Sequence, residues 1–146
     1  MSDTARLVRH PAANSTESLY GYILRLAEEN GYASWHSVFL LAGMPRSEIG
    51  SVGITVAKLA AIANQPEQEL DPIRYRSPGM NFGHCRLLAN SLSKSDLRLR
   101  NPRLCPECVK EKGYIEEHFD LALMTACPVH RKVLLSACPT CLQRLR

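Results

Sequence analysis

Apolar residues recur at helical spacing three times in the first 65 positions, and the pattern then dissolves. In ESLYGYILRLAEENGY (17–32), Leu19, Tyr22 or Ile23, and Leu26 fall at i, i+3/i+4 and i+7, one stripe of an amphipathic helix. The polar run NSTE (14–17) offers the N-cap, and Asn30-Gly31 stops the helix because glycine takes the left-handed conformation without steric cost. A second helix is predicted in SWHSVFLLAG (34–43), capped by Ser34, with Trp35, Val38, Phe39 and Ala42 as its stripe and Gly43 and Pro45 beyond its end. A third is predicted in TVAKLAAIANQP (55–66), capped by Thr55, with Val56, Leu59, Ala60 and Ala63 facing inward. PEQELDPI adds a short fourth helix over 66–71. Short helices joined by tight turns are consistent with a helix-turn-helix arrangement, although the stripes themselves report only a core. Trp35 reads as a core anchor.

From about Arg76 to Asn101 neither period persists. Pro78-Gly79 marks a turn, a single short helix fits 84–91, and the Ser/Lys/Arg-rich remainder reads as a connection. The chain therefore divides into a helical, helix-turn-helix-like unit (1–78) and a connection leading into a cysteine-rich unit (79–146). The expected class is mainly α, with a small metal-stapled domain of short strands and helices.

Composition sharpens that division. Residues 1–85 carry seven Lys/Arg and eight Asp/Glu, a net of −1, whereas residues 86–146 carry eleven and six, a net of +5. A basic, cysteine-rich half suits a polyanion or an acidic protein surface, or else it is a solvated basic face. Arg98, Arg100, Arg103, Lys110, Lys112, Arg131 and Lys132 are the candidate nucleic-acid contacts. The start, MSDTARLVRHP, has no apolar signal core, and the longest apolar stretches fall far short of the roughly 20 residues of a membrane span. The expected location is a reducing cytoplasm, where paired cysteines more often mean metal than disulfide.

Five of the six cysteines lie between Cys105 and Cys141, in three two-residue-gapped pairs whose middle member ends in histidine. Cys105-Pro-Glu-Cys108 and Cys127-Pro-Val-His130 are separated by 18 residues, the spacing of a structural zinc site. A two-residue gap makes a tight turn that aims both ligands at one point, and proline after the first cysteine restricts that turn. Three thiolates and one imidazole fill the four positions of Zn²⁺, so the site is expected to be structural, with no open position for water. Cys138-Pro-Thr-Cys141 is a third knuckle without a partner. It is half of a second zinc site, a competitor for the first metal, or a knuckle that only packs. His84 and Cys85 are upstream candidates to complete it, although lone Cys85 also reads as buried core. His10 and His36 read as surface residues, and His118, in HFDLALM, as a packing histidine with satisfied nitrogens. No phosphate loop, His-Glu-x-x-His or paired carboxylate motif is present, and no residue is assigned a catalytic role.

The helix at ESLYGYILRLAEENGY, followed by CPEC, Tyr114, Phe119, CPVH, Leu134 or Leu135, and CPTC, resembles the TniQ family of transposition proteins, which includes the N-terminal part of the target selector TnsD. That resemblance implies an N-terminal helix-turn-helix domain, a zinc-finger region and no enzymatic activity. It also implies an adaptor that helps load the AAA+ regulator TnsC at a target found by a DNA-binding selector or an RNA-guided CRISPR effector. Carried over, Cys105, Cys108, Cys127 and His130 hold the first finger's Zn²⁺, and Cys138 and Cys141 match the first knuckle of a second finger whose closing pair is missing here. In length the chain is similar to the small TniQ proteins of CRISPR-associated transposons. The competing expectation is an autonomous zinc-containing helix-turn-helix transcriptional regulator reading DNA with residues 55–64. Lys58, Asn64 and the adjoining Gln65 are all that TVAKLAAIANQ offers to base edges.

Overall fold

The computed structural model describes residues 6–76 and 79–145. Among them are four α-helices: α1 (Leu19–Glu29), α2 (Trp35–Leu41), α3 (Val56–Ile62) and α4 (Pro106–Lys112). One two-stranded antiparallel sheet joins β1 (His84–Leu87) to β2 (Asn90–Ser93), and short 3-10 turns cover Arg46–Glu48, Glu67–Ile73, Lys94–Asp96 and Glu117–Asp120. The mainly α class with a small cysteine-rich region is what the periodicities predict. Pro78, half of the expected turn, lies outside the described residues.

The three helices begin close to where the pattern places them. The cap of α1 is Ser18, one residue beyond the NSTE run, and its hydroxyl accepts from the Gly21 N–H. Gly31 ends the helix at a φ of +74°. Ser34 caps α2 through the His36 N–H. Thr55 precedes α3 without capping through its own side chain; instead its N–H donates to the Glu48 carboxylate at 2.8 Å. The predicted stripes are buried, Trp35 and Phe39 among them, apart from a half-buried Ala42, and Tyr20 packs edge-on to Trp35 with ring centroids 5.3 Å apart. The fourth helix forms as a 3-10 turn over Glu67–Ile73, because Pro72 inside it withholds a backbone donor.

The helix expected at 84–91 is a hairpin instead. Cys85 pairs with Leu92 and Arg86 with Ser91, and burial alternates so that Cys85 and Leu87 face inward. Leu88 and Ala89 form the turn, both left-handed (φ +51° and +60°). That conformation costs residues with a β-carbon about 1–2 kcal/mol each and is normally signalled by Asn or Gly. Burial of Cys85 and Leu87 in the helical core offsets the cost, so tertiary packing overrides local preference.

Two apolar clusters result. The larger runs from Leu7 through α1, α2 and α3 and takes in Cys85, Leu87 and Leu99. The smaller contains Cys105, Cys108, Ile115, Phe119, Cys127 and Leu134, and Leu24 of α1 packs against both. Where α1 meets the cysteine-rich unit the approach is close: a β-carbon on Gly21 would stand 2.8 Å from Ile115 Cβ. Backbone bonds stitch the contact, with the Ser18 N–H donating to Ile115 O at 2.8 Å and the Glu117 N–H to Thr16 O at 2.9 Å.

Candidate metal centre and basic surface

The first knuckle sits at the start of α4. Cys105 is its N-cap and Pro106 occupies the first turn, where a missing N–H costs nothing and φ is already helical. Gly113 closes the helix in the left-handed conformation. The second knuckle is a tight loop closed by main chain. Cys127 N–H donates to Lys132 O, Arg131 N–H to Cys127 O, and Leu134 N–H to Thr125 O, all within 2.9 Å, with Arg131 at a φ of +54°. The two knuckles meet because Leu104 and Leu135 exchange both backbone bonds, laying the strand before Cys105 against the strand after His130.

The ligand atoms of Cys105, Cys108, Cys127 and His130 all lie within 4.8 Å of one another, so the set can hold a metal ion. His130 Nδ1 stands 3.4, 3.3 and 3.6 Å from the sulfurs of Cys105, Cys108 and Cys127, and Cys108 and Cys127 are 3.5 Å apart. The other ring nitrogen, Nε2, faces Glu111 Oε1 at 3.1 Å, the outer contact that orients an imidazole ligand. Burial alone would raise the Cys127 thiol; the His130 backbone N–H and ring outweigh it and bring it down to about 7.

The third knuckle copies the second bond for bond. Cys138 N–H donates to Gln143 O, Leu142 N–H to Cys138 O, and Leu145 N–H to Ser136 O, and Leu142 takes the left-handed place of Arg131. The Cys141 and Thr140 backbone N–H groups aim at Cys138 and lower its thiol below the ordinary range. Among the described residues no further cysteine, histidine or carboxylate joins this pair into a set of three. Cys85 is enclosed in the helical core with its thiol toward Leu92 O, and His84 is exposed.

The seven basic candidates differ in their partners. Lys112 pairs with Glu116 and Lys132 with Glu107, and Arg103 donates to Ala122 O at 2.8 Å. Arg98, Arg100, Lys110 and Arg131 are exposed, with no ion pair among the described residues. His10 and His36 are exposed, as expected. His118 is not satisfied: its ring lies 4.2 Å from that of Phe119, Nε2 has no partner, and burial lowers its pKa.

One set of residues escaped the sequence reading. Asp120 is buried where the two clusters meet, accepting from Tyr75 Oη at 2.8 Å and Ser18 Oγ at 3.0 Å. Burial pushes its carboxyl up to about 7, against the two hydroxyls that hold it. Beside it Glu17, also buried, receives Arg25 through two bonds, Nε at 2.9 Å and Nη2 at 2.7 Å. The available signal was an acid set between Phe119 and Leu121 and a glutamate directly before the Ser18 cap.

No helix among the described residues is long and apolar enough to cross a membrane. No curated protein matches the chain. The family model TniQ matches residues 8–135, which span α1, the Ser18–Tyr75–Asp120 junction and the complete four-ligand cluster. By that match the chain belongs to the TniQ family of transposition-associated proteins.

Proposed function

We propose that the chain is a non-enzymatic adaptor in target-site selection. It bridges a target-recognition complex, either an RNA-guided CRISPR effector or a DNA-binding selector, to a TnsC-like AAA+ ATPase. Nucleic-acid backbone is a further partner, and the setting is cytoplasmic. The carrying observation is the junction: Ser18, Tyr75 and Asp120 lock a helical unit (1–78) to a metal-stapled unit (79–146) of different charge. An adaptor requires that coupling, because two partners held on loosely tethered units gain only the tether's effective concentration.

The metal is Zn²⁺. Tetrahedral corners at about 2.3 Å for sulfur and about 2.0–2.1 Å for nitrogen stand about 3.8 Å apart for two sulfurs and about 3.5 Å for sulfur and nitrogen. The three separations from His130 Nδ1, 3.3 to 3.6 Å, fit that polyhedron, and Cys108 and Cys127 at 3.5 Å stand somewhat closer than two zinc-bound sulfurs. Four protein ligands leave no position for a catalytic water, which supports a structural role. Cys138 and Cys141 are offered as a half-site only.

The competing reading, a helix-turn-helix regulator, asks α3 to face DNA bases. Lys58 Nζ is tied to Gly43 O at 2.8 Å and Gln65 Nε2 to Pro11 O at 2.8 Å, and α2 and α3 are separated by residues 42–55, far more than a three- or four-residue turn. These observations favour the adaptor.

The test is a three-component assay. With the ATPase and a target-bound recognition complex, the chain is expected to raise their association well above any pairwise level. The pure, metal-replete chain is expected to show neither nucleotide hydrolysis nor strand cleavage. Association unchanged by the chain, or cleavage by the chain alone, overturns the adaptor reading.

A further inference from the structure

The sulfur cluster and the junction leave three arginines without a role. Arg46 in the turn after α2, Arg100 in the connection and Arg144 in the returning arm of the third knuckle line one open cavity of about 380 Å³. Trp35, His36, Ile49, Asn101 and Leu145 complete its wall, and no carboxylate lines it. None of the three guanidiniums has an ion pair among the described residues. Glu48, the acid beside Arg46, is turned away, taking the Thr55 N–H at 2.8 Å and hydroxyl at 3.2 Å.

Two further observations mark a built site. Arg100 lies flat on Gly50, where a β-carbon would stand 2.1 Å from Arg100 Cγ, and Gly50 has a φ of +78°. Only glycine satisfies both the close approach and that conformation. Trp35, also in the lining, is 2% exposed, and its Nε1 is buried without a hydrogen-bond partner. An unfilled buried donor is rare in a folded chain and calls for an explanation.

We propose that this cavity seats the phosphates of a nucleic-acid strand. Three arginines lining one cavity carry more charge and more donors than one carboxylate can neutralise or accept. Successive phosphodiesters supply more acceptors and one charge each, the match for which arginine is suited. The third knuckle thereby acquires a task that does not depend on a second metal: its hairpin delivers Arg144 to Arg46 and Arg100. The proposal rests on the reading that the chain contacts nucleic-acid backbone, and places that contact across both units instead of on the finger alone.

The test uses the full chain, with fluorescence anisotropy on single- and double-stranded DNA and RNA of about 20 nucleotides and mixed sequence, titrated in salt. The Arg46→Gln, Arg100→Gln, Arg144→Gln triple variant keeps the stems and removes the charges. It is expected to bind on the order of 30-fold more weakly, with a log K–log salt slope shallower by about 2–3, since each lost phosphate contact removes about 0.7–0.9. A second triple variant, Arg6→Gln, Arg9→Gln, Lys94→Gln, removes the same charge from exposed positions outside the cavity and is expected to stay within about threefold of wild type on the same scale. Metal content and circular dichroism equal to wild type establish that both variants are folded. Equal binding by wild type and the first variant, or loss confined to the second, overturns the cavity while leaving nucleic-acid contact standing. No binding by wild type at low salt overturns both. Displacement of the strand by polyglutamate of equal charge would make the ligand an acidic protein surface. Displacement by inorganic phosphate in the low millimolar range, with no dependence on strand length, would make it a free phosphate.

Discussion

The two units are held together by opposite means. The helical unit, joined by Cys85, Leu87 and Leu99 from beyond residue 78, buries a continuous apolar cluster that begins at Leu7 and encloses Trp35, Tyr20, Phe39 and Tyr75. The cysteine-rich unit has a buried cluster of six residues, three of them cysteines that could hold a metal ion, and leaves Leu123, Val129, Val133 and Leu142 exposed. Burial is distributed: losing one side chain removes a fraction of the stabilisation. Coordination is concentrated, because metal binding supplies folding free energy that a small core lacks. The difference teaches where each half is vulnerable.

Breaking the comparison starts at the metal. Cys127→Ser, or chelation of the wild-type chain, is expected to cost on the order of 10 kcal/mol of metal-linked stability. Elemental analysis should fall from about one equivalent of zinc toward none, while helical dichroism from α1, α2 and α3 persists. Unchanged zinc in Cys127→Ser would sink the ligand assignment. In the other half, Leu59→Ala removes a fully buried side chain and is expected to cost about 2–5 kcal/mol. The denaturant midpoint should drop while zinc content stays at wild type; loss of zinc there would show that the two halves do not differ as described.

The smallest effect sharpens the boundary between them. Asp120 ionises near pH 4 when unfolded and, pushed up by burial, at about 7 when folded. The folded chain therefore binds more protons in that window, so this contribution is complete below about pH 4 and is lost as pH rises to about 7. Between pH 5.5 and 8, where the metal stays bound, wild type should lose about 2 kcal/mol on this account. Asp120→Asn should flatten that slope; an identical pH profile in the variant would place the titration elsewhere.

Much of this was legible in the sequence, for physical reasons that differ by region. The helices of the first half declare themselves because a 3.6-residue apolar stripe and a cap are local signals: the Ser34 hydroxyl caps α2, and Gly31, with no β-carbon, turns left-handed after α1. The Cys105, Cys108, Cys127 and His130 cluster was legible because a two-residue gap is itself the geometry. The hairpin was not, because Leu88 and Ala89 adopt left-handed turns only under packing by residues far away. Nor was Asp120, whose partners lie 45 and 102 positions distant. The arginine cavity shares that cause, since Arg46, Arg100 and Arg144 converge only in three dimensions.

The repeated knuckle bears on kinetics. Every bond closing Cys127–Lys132 spans at most nine residues, and so does every bond closing Cys138–Gln143. Loops that short close in well under a microsecond, and hairpins form in about 1–10 μs, with no need of an ion. A metal ion taken up by the cluster then meets a pair already aimed, and the slow event is the search that carries Cys105 and Cys108 across the 18 intervening residues. Arg131→Gly relieves a side chain from its φ of +54° and raises the share of closed loops before metal arrives. Faster uptake of cobalt or zinc by the apo chain in stopped flow is the expected consequence; an unchanged rate would mean that the ion itself drives closure.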